Sequence, residues 1–343
     1  MNSIWQQHLT SSGATIEANR VVNFGNPAKE LESLQSGTAL MDLSDFGLIN
    51  FSGEDTQTFL QGQLTNDIRQ VNAGKSQYSS YCTPKGRMLA NFLIWQNENG
   101  YTMQLPIELQ ESIQKRLSMF VMRSKVKVSN ISDSFIRFGV AGSKAKEILQ
   151  KHYGEVPEAT QDVKRIGDDT IINLPGSRFE IVTTPESAAN LWSVLSKECT
   201  PVGNAAWEWF EIQAGIPRIT AATQEQFVPQ MVNYEVIGGV NFQKGCYPGQ
   251  EIVARTQYLG KLKRRMYLAH LDSGTPVAGD DLFSPEMEGQ ATGMVVNVQP
   301  SPKGGYDLLA VIQITSAEAE TILWKSLDGP ALQLMQLPYK LTA

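Results

Sequence analysis

The stretch QYSSYCTPKGRMLANFLIW, residues 77–95, gives the clearest sign of how this chain folds. Two runs rich in aromatic and aliphatic residues flank Pro84-Lys85-Gly86, and such a break between apolar runs is typical of a β-hairpin. The segment EDTQTFLQGQL before it predicts a helix, and GLINFSG before that predicts a strand. Strands and helices are therefore mixed along one short part of the chain, which indicates an α+β fold.

The pattern continues beyond the hairpin and then repeats. YTMQLP predicts a strand, and apolar residues at Ile113, Leu117 and Phe120 recur at helical spacing. After the strand-like KVKVSNI, a second series begins with the strand FIRFGVAG and the helix SKAKEILQKHYG. Two strands around a Pro-Gly turn and the helix ESAANLWSVLSKEC complete that series. The order strand–helix–strand–strand–helix thus occurs twice, which favours two halves of similar architecture.

The last part of the chain consists of short strand-like runs with Gly and Pro at the joints, such as ATGMVVNVQP and YDLLAVIQI. About 80 residues of this kind favour a small barrel or sandwich. We therefore predict an α+β protein with two ferredoxin-like α+β halves, residues 1–133 and 134–260. A small C-terminal β-barrel, residues 261–343, follows them. Two packed halves would leave a cleft or channel between them, where ligands commonly bind.

Composition narrows the class of protein. The chain has 343 residues, of which 41% are hydrophobic and 19% charged, as is usual for soluble globular proteins. Its net charge of −6 argues against a broad nucleic-acid-binding surface. No apolar run approaches the roughly 20 residues that a membrane-spanning helix needs. The first residues, MNSIWQQHLTSSG, do not resemble a secretory signal. We expect a cytoplasmic protein that does not contact membranes.

The cysteines and histidines argue against a metal enzyme. Cys82, Cys199 and Cys246 are far apart in the sequence and form no C-x-x-C pair. A disulfide framework is not expected from them, and one chain with three cysteines cannot supply a four-cysteine cluster or zinc site. The three histidines are also scattered. We predict no metal site.

The sequence around Cys246 is the strongest candidate for chemistry. In KGCYPGQE, Pro248 suits the first turn of a helix, so Cys246 should lie just ahead of a helix N-terminus. The partial positive charge there, with Lys244 nearby, favours thiolate over thiol. Gly245 and the glycine after Pro248 permit sharp turns and close approach to a ligand. A lone cysteine is, however, most often a small core residue, so spacing alone leaves both interpretations open.

These eight residues resemble the K-G-C-Y-x-G-Q-E signature of the YgfZ family, whose members bind folate and are related to the aminomethyltransferase (T-protein) of glycine cleavage. Three further stretches resemble the family, namely GEDTQTFLQGQLTNDI, CTPKGRMLANFLIW and the run from AGIPRI to GGVNFQKGCY. The resemblance covers roughly residues 40 to 270, and the C-terminal segment matches only in character.

The resemblance implies an aminomethyltransferase-like arrangement of three domains around a central channel that binds tetrahydrofolate or a derivative. It also implies a role in the assembly or repair of iron–sulfur proteins, including enzymes that modify tRNA by thiolation. The expected partners are folate and iron–sulfur client or assembly proteins, whereas direct contact with nucleic acid is not expected.

The resemblance also assigns site residues. Cys246 and Lys244 take the two catalytic positions of the signature. Phe46 and Trp207 take the places of aromatic residues that lie along the folate path, and a Phe keeps the flat apolar face but lacks an indole N–H. Gln213 stands where relatives carry a glutamate, whose hydrogen bonding to the pterin an amide reproduces only in part.

Four residues of the motif and its helix complete the predicted folate site. Tyr247, Gln250 and Glu251 belong to the signature itself. Arg255 is a candidate for the carboxylates of the folate tail, since arginine binds carboxylates bidentately. The alternative for Arg255 is an ion pair with Glu251, four residues earlier on the same helix.

Two other functions remain open. The first is a folate-dependent one-carbon transferase of the aminomethyl type. The related enzyme has adjacent aspartates in the strand after its hairpin, where this chain has Ala90 and Asn91. Because asparagine cannot act as a carboxylate base, we expect no aminomethyl transfer. The second is a folate-sensing regulator without chemistry of its own, in which Cys246 only packs.

Overall fold

The computed structural model describes residues 1–258, 260 and 262–341. Their strands are β1 (Thr15–Glu17), β2 (Arg20–Asn23), β3 (Thr38–Asp42), β4 (Phe46–Ser52), β5 (Gln77–Cys82), β6 (Met88–Asn97), β7 (Gly100–Pro106), β8 (Lys127–Asn130), β9 (Ile136–Gly142), β10 (Val163–Ile166), β11 (Asp169–Leu174), β12 (Arg178–Thr183), β13 (Thr200–Val202), β14 (Arg264–Leu271), β15 (Asp281–Phe283), β16 (Ala291–Pro300), β17 (Tyr306–Gln313), β18 (Leu323–Trp324) and β19 (Gln333–Met335).

The α-helices of the described residues are α1 (Ser3–Ser11), α2 (Pro27–Ser33), α3 (Thr56–Gln61), α4 (Ile107–Met119), α5 (Ala145–Tyr153), α6 (Pro185–Leu195), α7 (Asn204–Gln213), α8 (Gln250–Tyr258) and α9 (Ile314–Glu318). Single-turn 3-10 helices cover Ile68–Gln70, Pro229–Val232 and Pro285–Met287. Among the described helices, none is both long and apolar enough to cross a membrane.

The chain forms two compact units. The first consists of residues 1–54, 71–76 and 94–210, and the second of residues 55–70, 77–93 and 211–343. The predicted halves 1–133 and 134–260 and the predicted barrel remain a proposal for the domain division. The predicted boundary between the second half and the barrel falls at Lys261, which lies outside the described residues.

The first unit contains a six-stranded sheet in the order β10-β11-β12-β9-β3-β13. The pair β13–β3 is parallel, and the pairs from β10 to β3 are antiparallel. Apolar residues of α1, α5 and α6 pack with this sheet in one core that includes Trp5, Phe138, Leu149 and Trp192. The helix α6 begins where expected because Thr184 caps it and Pro185 occupies its first turn.

The six-stranded sheet also holds a feature that the sequence did not indicate. Strand β3, from the beginning of the chain, pairs with β9 along its whole length, from Thr38 opposite Gly142 to Asp42 opposite Phe138. The sheet therefore takes strands from both sides of residue 133. Pairing between segments about 100 residues apart leaves no local pattern in a single sequence, so it could not be predicted from periodicity.

In the same unit, β4 pairs with both β7 and β8, and α4 packs against this group of strands. The helix buries Leu109, Ile113 and Leu117, as its apolar spacing predicts. Phe120, which the same spacing assigned to the buried face, follows the end of the helix and is exposed. The helix ends at Met119, one residue before Phe120, so Phe120 does not continue the buried face of the helix.

The predicted hairpin of β5 and β6 is present, and its residues 77–93 belong to the second unit. Its turn is closed by hydrogen bonds from Thr83 N to Arg87 O (2.8 Å) and from Gly86 N to Thr83 O (2.9 Å). The C-terminal part of the second unit is an antiparallel sheet in the order β18-β15-β16-β17-β14-β19. Its core includes Leu271, Leu282 and Leu308. The predicted α+β class and the predicted β structure at the C-terminus are confirmed.

Candidate functional site around Cys246

Cys246 lies in a loop, residues 243–249, that leads into α8; we call it the Cys246 loop. The helix begins at Gln250, two residues later than Pro248 suggested, and Gln250 N donates to Tyr247 O (3.1 Å) at the turn before it. The thiol of Cys246 is exposed. A Cβ placed on the neighbouring Gly245 would meet no atom within 4 Å, so the space beside the thiol is open.

Lys244 anchors the base of this loop. Its side chain is buried, and its ammonium group donates to Gln61 O (2.6 Å), Leu64 O and Asn66 O (3.2 Å). An ammonium group has three hydrogens, and three carbonyl groups of one segment accept them. Lys244 therefore ties the Cys246 loop to residues 61–66, the QGQLTN stretch of the sequence.

Burial sets the electrostatics of Lys244. Removal of the ammonium group from water lowers the pKa of Lys244 to about 8. The carboxylate of Asp67 opposes this change, whereas Arg69 adds to it. Arg69 also hydrogen-bonds Asp67 and thereby lowers the pKa of that carboxyl group. The ring of Tyr247 lies 5.1 Å from the Lys244 ammonium, a distance at which the ring face attracts a cation.

The other end of the Cys246 loop packs on the hairpin. Gly249 has φ +82°, and a Cβ at this position would lie 2.4 Å from Thr83 O and 2.7 Å from the backbone of Gly86. Gly86 in turn faces Ile252 in the first turn of α8. Only glycine fits at 249, because both the positive φ and the close approach exclude a side chain. The loop is thus fixed at both ends while its tip is exposed.

The three cysteines differ sharply in environment. Cys82 and Cys199 are buried, and burial raises the pKa of each thiol to about 12. Both thiols are protonated at neutral pH and unable to act as nucleophiles there. Cys246 is exposed. In the described part of the chain, no group of three or more His, Cys, Asp and Glu side chains could hold a metal ion.

The remaining motif residues divide into buried and exposed positions. Tyr247 is buried, which raises the pKa of its hydroxyl group. Gln250 donates from Nε2 to Lys244 O (3.4 Å) and so helps to hold the loop. Glu251 and Arg255 are both exposed on α8. Among the described residues, no ion pair joins these two side chains. Lys244, Cys246 and Tyr247 thus lie in the Cys246 loop, and Gln250 at the start of α8 contacts it.

Asn91 connects β6 to the AGIPRI segment. Its Nδ2 donates to Pro217 O (2.7 Å), and its Oδ1 accepts from Ile219 N (2.8 Å). The amide is buried and uses one donor and one acceptor, a combination that an ionised carboxylate does not have. This position, where the related transferase has an aspartate, is therefore occupied by a structural link.

Gln213, at the end of α7, contacts the C-terminal sheet. Its Nε2 donates to Asp307 Oδ2 (3.1 Å), and the other carboxylate oxygen of Asp307 lies 2.7 Å from His270 Nδ1. Trp207 also lies on α7, and Gly215 beyond this helix has φ +65°, as is common at a helix C-terminus.

Phe46 and Trp207 both belong to the first unit and are both buried. The backbone carbonyl of Phe46 accepts from Arg137 Nη2 (2.7 Å). The indole of Trp207 is 1% exposed and fills the space beside Gly139, where a Cβ would lie 2.4 Å from two ring atoms. The guanidinium of Arg178 covers the Trp207 ring at 4.7 Å from its centroid. Stacking of a ligand on this ring requires these neighbours to move.

The structure also points to Gln77, which sequence reasoning missed. It is 5% exposed at the start of β5, and among the described residues neither of its amide atoms has a hydrogen-bond partner. A buried amide without partners is costly, and a ligand with its own donors and acceptors would satisfy it. No local pattern in the sequence distinguishes Gln77 from other strand residues.

Comparison with known proteins gives three findings. The family model described as the GCVT N-terminal domain matches residues 5–167. The tRNA-modifying protein YgfZ of Enterobacter sp. (strain 638) is 31% identical over 319 residues, which cover 92% of this chain and 97% of that protein. The tRNA-modifying protein YgfZ of Yersinia pseudotuberculosis serotype O:1b (strain IP 31758) is 34% identical over 307 residues, 88% of this chain and 92% of that protein.

Among solved structures, the crystal structure of the glycine cleavage system aminomethyltransferase T from Bartonella henselae superposes with a TM-score of 0.81. It is 17% identical in sequence and covers 98% of this chain and 97% of its own. At this identity the likeness establishes the fold alone. The predicted aminomethyltransferase-like fold is confirmed.

Proposed function

Because the chain belongs to the YgfZ family, we propose that it is a tetrahydrofolate-binding accessory protein in the assembly or repair of iron–sulfur proteins. Its clients include enzymes that modify tRNA, and its work is cytoplasmic. The Cys246 thiol is the group that meets the client. Contact with nucleic acid is made by the client rather than by this protein.

The exposed position of Cys246 carries the proposal. A thiol that only packed would be expected in the core, as Cys82 and Cys199 are. Instead, the chain fixes both ends of the loop through Lys244 and Gly249 and leaves the cysteine and the space beside it accessible. This arrangement presents sulfur to a large partner without a flexible arm, because the loop is ordered before the partner binds.

In this proposal Lys244 is a positioning residue. Its three hydrogen bonds to residues 61–66 hold the loop, and its ammonium group does not need to touch the client. Any iron–sulfur cluster at Cys246 requires ligands from another protein, since the other two cysteines of the chain are buried.

Folate binding rests on membership of the family. Within the second unit, we assign Gln77 to the pterin edge and Arg255 to the carboxylates of the tail. Phe46 and Trp207, in the first unit, remain the candidates that the resemblance gives for apolar contact. Further candidates are Tyr247, Gln250 and Glu251 from the motif and Gln213 from the end of α7.

Complementation tests the role of the thiol. In a strain that lacks this protein, the wild-type gene should restore the activity of iron–sulfur enzymes and tRNA thiolation, and Cys246→Ser should not. Gln243→Ala is the matched control, because it changes an exposed side chain of the same loop that lies outside the eight-residue signature. Full rescue by Cys246→Ser would favour the folate-sensing regulator instead.

A titration tests the ligand. Tetrahydrofolate should quench tryptophan emission of the purified protein, and Gln77→Leu should weaken binding roughly 10-fold by removing two hydrogen-bonding atoms. Unchanged affinity of Gln77→Leu would remove Gln77 from the site. Release of 5,10-methylene-tetrahydrofolate from an aminomethyl donor would replace the accessory role with a transferase, which the amide at Asn91 disfavours.

A further inference from the structure

A group of apolar side chains is exposed where α4 ends. Met119 is 63% exposed, Phe120 47% and Met122 86%. Single exposed apolar residues are normal in soluble proteins, whereas several together commonly mark an interaction site. These three are within four consecutive positions, and none of them belongs to the helix face formed by Leu109 and Leu117 that packs on the strands.

The backbone holds this group in an ordered turn. Phe120 N donates to Leu117 O (3.0 Å), and Ser124 N donates to Val121 O (2.8 Å). Met122 has φ +46°, in the left-handed region that costs a residue other than glycine or asparagine about 1 kcal/mol or more. The positive φ of residue 122 would favour glycine, so the backbone conformation does not explain why an exposed methionine stands there.

The segment that carries the group is basic in sequence. The segment KRLSMFVMRSKVK, residues 115–127, has five basic residues and no acidic residue, in a chain whose net charge is −6. Lys125 pairs with Glu54 (2.7 Å). Arg123 and Lys127 are exposed. Neither side chain takes part in an ion pair among the described residues. A partner that covers this surface therefore needs an acidic face.

The composition favours a protein over other acidic partners. Methionine, phenylalanine and arginine are enriched at protein–protein interfaces, and flexible methionines adapt to more than one partner. Single-stranded RNA is bound by stacking on several aromatic rings, and Phe120 is the only aromatic residue of this segment. A membrane surface needs a long apolar helix face, but that face of α4 is buried within the protein.

We propose that residues 115–127 form a docking surface for the iron–sulfur client, which presents an acidic face with an apolar pocket. The inference rests on the proposed function and concerns a surface of the first unit alone. Met119, Phe120 and Met122 enter the pocket, and Arg123 and Lys127 meet carboxylates around it. The surface binds the client irrespective of the state of the thiol.

Binding of a purified client tests the inference. The probe is a cluster-free iron–sulfur enzyme that thiolates tRNA, immobilised for biolayer interferometry with the full-length protein in solution. Phe120→Ser/Met122→Ser and Arg123→Glu/Lys127→Glu should each weaken binding at least about 10-fold. Added salt should weaken binding of the wild type more than that of the charge variant.

Matched controls carry the same kinds of change elsewhere. Val277→Ser removes an exposed apolar side chain and Lys29→Glu reverses an exposed charge, and both should bind as the wild type does. Urea unfolding checks that each variant is folded. If the apolar double variant does not fold, the charge variant decides the question, since its two side chains are exposed.

Three outcomes would overturn the inference. The first is that both double variants bind the client as tightly as the wild type does. The second is that the wild type shows no measurable binding to the client. The third is that the variants lose a different partner, namely bulk tRNA, vesicles of phosphatidylglycerol and phosphatidylethanolamine, or a second copy of this chain, while they keep the client. Each of these partners is measured in parallel.

Complementation separates this inference from the proposed function. If Cys246→Ser fails to rescue the deletion strain while both surface variants rescue fully, the docking surface is refuted and the proposed function stands. If Cys246→Ser rescues fully, the proposed function fails, and the identity assigned to the partner is overturned with it.

Discussion

The backbone of Gly249 lies so close to that of Gly86 that a Cβ on residue 249 would stand 2.7 Å from both the Gly86 N and Cα atoms. The Cys246 loop and the β5–β6 hairpin are far apart in the sequence, but the contact between two glycines brings their backbones together. Since backbone atoms cannot rotate away as a side chain can, this contact fixes where α8 begins and where the tip of the loop is displayed.

Gly249→Ala should destabilise the protein by about 2–4 kcal/mol, because the new Cβ meets the carbonyl of Thr83 at 2.4 Å in a backbone conformation with φ +82°. The free energy of unfolding in urea measures the loss. Gly245→Ala is the control in the same loop, with open space around its Cβ, and should be within about 0.5 kcal/mol of the wild type. Equal stability of the two variants would mean that the loop shifts freely on the hairpin.

Lys244→Met should cost about 3 kcal/mol of unfolding free energy at pH 7. The methionine fills most of the space but leaves three carbonyl groups, those of Gln61, Leu64 and Asn66, without their donor. Lys85→Met, at the exposed hairpin turn, is the matched control and should change stability by less than about 0.5 kcal/mol. If both variants unfold at the same urea concentration, water replaces the ammonium group at these carbonyls at little cost.

Iodoacetamide should label Cys246 and neither of the other cysteines in the native protein, from pH 7 to pH 9. Because burial raises the pKa of Cys82 and Cys199 to about 12, the folded state keeps these thiols protonated as pH rises. At pH 9 only roughly one in a thousand of such thiols is ionised. Peptide mass spectrometry identifies the labelled residue.

Two controls accompany the labelling. The variant Cys246→Ser should show no label on the native protein at either pH. In urea, all three cysteines of the wild type should react, because the unfolded chain exposes them equally. Labelling of Cys82 or Cys199 at a rate close to that of Cys246 in the native state would contradict the burial of these two thiols.

Local patterns in the sequence carried the prediction of several elements. The hairpin followed from Pro84-Lys85-Gly86, and α4 followed from the helical spacing of Ile113 and Leu117. Such elements depend on neighbours within a few residues, so a single sequence contains most of the information that defines them. The same holds for Cys246, since a thiol flanked by turn-forming residues is a local feature.

Long-range contacts could not be predicted in this way. The carbonyl groups that accept from Lys244 are about 180 residues away, and the sequence gives only a lysine and a polar stretch. The sequence likewise does not reveal that Gly139 leaves room for the indole of Trp207. Both contacts are specified by how separate segments pack, for which residue spacing within one segment holds no signal.

Asn91→Asp should destabilise the protein by about 2–4 kcal/mol at pH 8 and should not produce aminomethyl transfer. One carboxylate oxygen can accept from Ile219 N, but the other would face Pro217 O, to which Asn91 now donates at 2.7 Å. Burial favours the protonated acid, which can donate to that carbonyl, so the loss of stability should be smaller at pH 5 than at pH 8. Urea unfolding at the two pH values tests this, with the exposed Asn99→Asp as the control that should change little at either. A variant as stable as the wild type at pH 8 would show that Asn91 is not the structural link described here, and release of 5,10-methylene-tetrahydrofolate by it would show that this one amide separates the chain from the transferase.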